Sequence, residues 1–284
     1  MPDVMTFRTA GGGGSPGPAG FDATVAAPTR VYDCWLGGKD NFAADRVAAE
    51  ETIAAYPAIR RSARANRAFL VRAVSYLAGA RGIRQFLDIG AGLPAAPNTH
   101  QVARSIAPGS RVVYADNDPM VLCHARALLA GSAPGVTGYV EADLRDPAAI
   151  LAGAAETLDL TRPAAIMLLA VLEHIPGLDQ VRQILDQLLA AAAPGSFLVI
   201  SHAGSDIDPA GMADLTASLN EHLAPGTYTA RPRQVITLFF DGLSLIEPGV
   251  VQVSRWHPRS QIESARPACH WGGVARKPGR SRQG

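Results

Sequence analysis

Three carboxylates stand where three short apolar runs end: Asp88 in QFLDIGAG, Asp116 in RVVYADN and Asp143 in VTGYVEADL. Gly90 and Gly92 follow the first of them, and residues without a Cβ let the backbone turn sharply and approach a ligand closely. GAGLPA at 90–95 satisfies the GxGxxA form of a dinucleotide fingerprint, with Asp116 near the expected acid spacing. Two features oppose a diphosphate in that loop. Asp88 would meet the phosphates with a like charge, whereas an amine or sulfonium would gain from it. Pro94 and Pro97 remove amide donors that a phosphate would seek.

The ligand suggested by these residues is nucleoside-like at one end and cationic at the other, and S-adenosylmethionine has that chemistry. Asp116, with Asn117 beside it, can accept hydrogen bonds from both ribose hydroxyls, and Asp118-Pro119 then opens a helix in N-cap fashion. Asp143, followed by Leu144, can take the adenine amino group. Methyl transfer is an in-line displacement, so the protein must align the acceptor and exclude water; a base matters only when the acceptor loses a proton. Glu173, His174 and His202 lie just beyond strand ends on the ligand side, and Tyr32 could also reach. Each could be a base, a substrate anchor or a packing residue. Two rivals remain at this point: a regulator that binds S-adenosylmethionine without turnover, and a nicotinamide-dependent oxidoreductase. The seven histidines show no i, i+3 or i, i+4 pairing, so no metal is expected. No GxSxG elbow supports a hydrolase.

The elements that must position these groups follow from hydrophobic period. Apolar runs at 85–89, 111–116, 136–143, 164–171 and 196–202 alternate with helical stretches near 98–106, 119–130, 178–192 and 209–222, and a shorter helix follows the third run. Strands without polar alternation predict a parallel sheet covered on both faces. After residue 230 a helix closed by Gly242 precedes two strand-like runs, LSLIEPGVVQVSRW and ACHWGGVARK, with no helix between them, so an antiparallel strand is expected at the end. Upstream, 42–56 and 62–79 read as helices. Arg61, Arg64 and Arg72 flank the apolar stripe of the second as a solvated cationic face. VYDCWLGGKDNF combines Tyr32, Gly37, Gly38, Lys39 and Asn41, and reads either as a lid over the ligand or as a helix ending at glycine.

At 284 residues, 48% apolar and 18% charged, the chain can bury a large α/β core, and a net charge of +1 gives no field toward nucleic acid or membrane. Three scattered cysteines without a CxxC pair, no leader-like start and no long apolar run give the expectation of a cytoplasmic protein acting on a small molecule. Residues 1–27, rich in glycine and proline, and 278–284 are expected to be disordered tails. Between them, 28–80 forms a helical cap and 81–277 the main domain.

With these residues assembled, the chain resembles the class I S-adenosylmethionine-dependent methyltransferases. More narrowly, it resembles an actinobacterial family of S-adenosyl methyltransferases formerly described as a domain of unknown function. The likeness runs from about 28 to 277 through RVYDCWLGGKDNFAADR, RANRAFLVRAV, FLDIGAGLP, VVYADNDP, ADLRDP, LLAVLEHIP and FFDGL. It implies a Rossmann-like, seven-stranded α/β sheet, mostly parallel with an antiparallel last strand, helices on both faces and an N-terminal helical extension. It also implies cofactor contacts from the Asp88–Gly92 loop, Asp116 and Asp143, with Ala170 and Val171 at the mouth of the fourth strand. Ala95 stands where the family often has threonine. Glu173 and Gly177 stand where histidine and aspartate are expected, so the departures fall on the acceptor side.

Overall fold

The computed structural model describes residues 22–129, 136–223, 226–265 and 268–279, with the side chains of 126–129 left out. Most of the two expected tails, 1–21 and 280–284, lies outside the described residues. Residues 22–27, read from the sequence as the end of the first tail, are placed: Ala27 N donates to Asp45 Oδ1 at 2.9 Å, and Arg30 Nη2 donates to Val25 O at 2.7 Å.

Three helices come first: α1 (Pro28–Leu36), α2 (Ala43–Ala55) and α3 (Ile59–Gly79). The alternating region then runs β1 (Gln85–Ile89), α4 (Thr99–Ile106), β2 (Arg111–Asp116), α5 (Pro119–Leu129), β3 (Thr137–Glu141), α6 (Pro147–Ala154), β4 (Ala165–Leu169), α7 (Leu178–Ala191), β5 (Phe197–Ala203) and α8 (Pro209–His222). The last part holds α9 (Arg233–Leu238), β6 (Ser244–Leu245), β7 (Val251–Gln252), α10 (Gln261–Ser264) and β8 (His270–Arg276). Aspartates open several helices as expected: Asp118 Oδ1 accepts from Met120 N at 2.8 Å, and Asp146 Oδ1 from Ala149 N at 3.0 Å ahead of Pro147.

The sheet order is β3-β2-β1-β4-β5-β8-β6, with β7 also paired to β8. β1 to β5 are parallel, and β8 runs antiparallel between β5 and the short β6. The sheet therefore has eight strands rather than seven. The run read as one strand, LSLIEPGVVQ, is split into β6 and β7 by a turn at Pro248, which has no N–H for the ladder, and Gly249, with φ +81°.

Period 2 sends alternate residues to opposite faces, and both faces are apolar. Leu87, Ile89, Ile166, Leu168, Leu198 and Ile200 pack under α6 and α7. Phe86, Val112, Met167, Val199 and Val274 pack against α3 and α4. A third cluster joins α1, α2 and α8 through Val31, Trp35, Ala48, Met212 and Leu215, so the N-terminal helices are built onto the domain. Arg72 departs from the expected solvated face. It is 5% exposed, donates to Trp256 O at 2.8 Å and pairs with Glu263, which pins α3 to the C-terminal segment. Arg61 and Arg64 are exposed.

Candidate functional site

In this strand order β1 pairs with β2 on one side and β4 on the other, so the connections reverse direction between β1 and β4. A crevice opens at the carboxyl ends of strands at such a point. Here the N-terminal helices roof it, leaving a cavity of about 570 Å³, within the usual range for a small-molecule site. Asp88, Gly90, Gly92, Asp116, Asn117, Asp143, Leu144, Ala170 and Val171 all line that cavity.

The glycine loop is held by its neighbours. Gly90 N extends the ladder to Ala115 O at 2.8 Å, and Gly92 N donates to Asp116 Oδ2 at 2.8 Å. Gly90 has φ +69°, and a Cβ there would lie 2.3 Å from Val171 Cγ2, so the loops after β1 and β4 touch with no room for a methyl group. A Cβ on Gly92 would meet nothing within 4 Å. Ala170 is itself left-handed at φ +54°, a conformation unusual for a residue with a Cβ, and its N–H points to Ser201 O at 3.0 Å.

The acids differ in setting. Asp88 is buried and accepts from Thr99 Oγ1 at 2.6 Å; burial raises its pKa to about 6 against the opposing pull of that hydrogen bond and of Arg67. Burial likewise raises Asp116, whose Oδ1 also accepts from Asp118 N at 3.0 Å. Asp143 is half open to solvent and is held by Asn117 Nδ2 at 2.9 Å and Arg145 N at 2.8 Å.

Of the segment read as a lid, Tyr32 lines the cavity from α1. Gly37, Gly38, Lys39 and Asn41 form the turn after α1, outside the lining, where Asp33 Oδ2 accepts from Asn41 Nδ2 at 2.8 Å. Gly37 takes φ +86° as the left-handed cap of α1. α1 is fixed from behind by Trp35 Nε1 donating to Thr52 Oγ1 at 3.0 Å and by Arg30 with Asp45 at 3.2 Å.

The four acceptor-side candidates separate by hydrogen bonding. The Tyr32 hydroxyl donates to Ala63 O at 3.2 Å and accepts from Asn66 Nδ2 at 3.2 Å, and burial raises its pKa to about 12. His202 is buried outside the cavity lining. Arg231 Nη1 donates to its Nε2 at 2.7 Å and its Nδ1 lies 2.9 Å from Ala203 O, so Nδ1 carries the proton and the Nε2 lone pair is already engaged. Burial lowers its pKa to about 4. His174 does line the cavity, stacks edge-on to Tyr228 with ring centroids 5.5 Å apart, and has an unpartnered Nδ1; burial lowers its pKa.

Glu173 sits 1% exposed on the cavity wall with Oε1 3.5 Å from His270 Nε2. His270 Nδ1 lies 3.0 Å from Ser62 Oγ, which also accepts from Cys269 N at 2.7 Å. Burial raises the Glu173 carboxyl, but the His270 contact and the neighbouring imidazoles outweigh it and hold it at about 2. Burial lowers His270, and Cys269 and Glu173 outweigh that in turn, raising it to about 10. The two form a buried ion pair. His270, which reads from the sequence as a structural histidine, and Asn66, visible there only as part of RANRAFLVRAV, both line the cavity.

A family model described as S-adenosyl methyltransferase matches residues 15–278. The chain is similar at 41% identity to two solved structures, a DUF574 family protein from Streptomyces avermitilis and a candidate methyltransferase from Thermobifida fusca. The first has a TM-score of 0.86 over 90% of this chain and 99% of its own, and the second 0.86 over 92% and 98%. An O-methyltransferase family protein from Burkholderia thailandensis, 18% identical with a TM-score of 0.50 over 78% of this chain and 60% of its own, shares the fold alone. Among curated proteins none matches.

Proposed function

Because the chain belongs to the S-adenosyl methyltransferase family, we propose that it moves the methyl group of S-adenosylmethionine onto a small molecule bound beside it under the N-terminal helices. The observation that carries this reading is the convergence of acids from the ends of three adjacent strands, Asp88, Asp116 and Asp143, on one cavity with the Gly90–Gly92 turn.

The residues present fit the cofactor. Gly92 borders open space, Asp116 keeps acceptor capacity for ribose hydroxyls beyond its two backbone bonds, and Asp143 faces the same cavity for the adenine amino group. When bound, the cofactor supplies a methyl group already activated by its sulfonium. The chain's part is to bind, orient and exclude water. α1, with Tyr32, closes over the cavity as a roof, and the turn at Gly37–Asn41 sets where that roof ends. Asp88 places negative charge beside the glycine loop, which favours a cation there and disfavours a pyrophosphate.

Calorimetric titration with S-adenosylmethionine, S-adenosylhomocysteine and NAD tests the reading, with Asp116→Ala alongside. Micromolar binding of both methionine cofactors, weakened at least about tenfold in the variant, is the expected result. Slow formation of S-adenosylhomocysteine, accelerated by acceptor, separates an enzyme from a regulator. Binding of NAD alone would sink the proposal.

A further inference from the structure

Buried polar atoms are almost always hydrogen-bonded, and each one left without a partner needs an explanation. Among the described residues, the few exceptions include Glu173 Oε2, Asn66 Oδ1 and His174 Nδ1, and all three residues line the cavity. Their identities as acceptors follow from the bonds around them. Tyr32 gives its only proton to Ala63 O, so it must accept from the Asn66 amide nitrogen, which leaves Asn66 Oδ1 as the free atom. Glu173 is ionised beside His270, so Oε2 can only accept.

Asn66 and Glu173 line the same cavity and are linked through α3 and β8. Ser62 and Asn66 stand one turn apart on α3, about 5–6 Å between their Cβ atoms. Ser62 contacts His270, and His270 contacts Glu173. Tyr228 and Tyr32 are aromatic residues of the same lining.

Building on the methyltransferase reading above, we propose that the acceptor is a small primary amine whose nitrogen binds between Glu173 Oε2 and Asn66 Oδ1. A neutral primary amine has two N–H donors for two acceptor-only atoms and keeps its lone pair free; a hydroxyl has one proton and leaves an acceptor unsatisfied. An amine that arrives as ammonium loses one proton to water before its lone pair is free to react. The nitrogen lone pair then forms the N–CH₃ bond as the C–S bond breaks and its electron pair stays on sulfur. The positive charge moves from sulfur to nitrogen, where the Glu173 carboxylate faces it. One proton is released to water per turnover when the amine enters protonated.

Matched pairs test this on protein saturated with S-adenosylhomocysteine: benzylamine against benzyl alcohol, and phenethylamine against phenethyl alcohol, by ligand-observed NMR and calorimetry. The amines should bind about tenfold or more tightly than their alcohols. With S-adenosylmethionine the same amines should gain one methyl group by mass spectrometry. Glu173→Gln should erase the preference while S-adenosylhomocysteine still binds. Asn66→Ala, which leaves the Glu173–His270 pair in place, should reduce it independently of any folding defect in the first variant. Equal binding of alcohols, a preference that survives both variants, or S-adenosylhomocysteine binding with no amine bound or methylated would overturn the amine assignment and leave the methyltransferase reading standing. Failure of S-adenosylhomocysteine to bind would remove both.

Discussion

Asp88 is 5% exposed and its pKa is raised from 3.8 to about 6, so the folded state holds its proton more tightly than the unfolded chain. Stability is therefore lost as pH rises from about 4 to about 6, by about 2–3 kcal/mol once the shift is complete. Asp88→Asn removes this dependence. Its stability relative to the natural protein should grow by that amount between pH 4 and pH 7, read by denaturant titration; an unchanged difference would mean that Asp88 is not desolvated. His202 works in the opposite sense, since its pKa is depressed from 6.5 to about 4 and it loses stability as pH falls across that window. The Glu173–His270 pair has both signs in one contact. Its contribution is full between the ordinary values of 4.5 and 6.5, and is lost only toward about pH 2 on one side and about pH 10 on the other. His270→Ala leaves a buried carboxylate without its counter-charge and should cost about 3–5 kcal/mol, measured near pH 6.

The contact between the loops after β1 and β4 can be dissected by two small changes. Gly90→Ala places a methyl group against Val171 and an L side chain at φ +69°, and should cost at least about 2 kcal/mol. Adding Val171→Ala should recover the steric part and leave the backbone part, which a double-mutant cycle reads directly. α1 invites a different measurement. If it closes over the cofactor, S-adenosylhomocysteine should slow amide exchange across 28–36 more than across α6, which packs on the far face of the sheet. The parallel strands and the acids at their ends were legible because each is a local pattern: an apolar run, then a carboxylate, then a turn or helix cap. β6 and β7 were not separable, since a short edge pair interrupted by Pro248-Gly249 has the same apolar content as one strand. Arg72 was misread because its partners, Trp256 O, Val253 O and Glu263, lie more than 180 residues away.

In the reading proposed above, the three acids that would meet the cofactor lie in the middle of the chain, whereas the acceptor side joins the loop after β4 to residues from both ends. The acids need only the consecutive β1–β3 segment, which a motif can capture. The acceptor side needs Ser62 and Asn66 from α3 to meet His270 from β8, and Ser62 and His270 are 208 residues apart with nothing in either local sequence to announce the meeting. Among the described residues no helix is long and apolar enough to cross a membrane. The placement of β8 also has a bearing on synthesis. β5, buried along all seven residues, has β4 on one edge and waits for β8 on the other, and β8 ends at residue 276. Until residues 270–276 have been made, a long apolar strand has an open edge, the hazard that leads nascent sheets to pair with the wrong neighbour. β8 thus both seals that edge and delivers the histidine that balances Glu173, so neither protection from misassembly nor the buried ion pair can precede its synthesis.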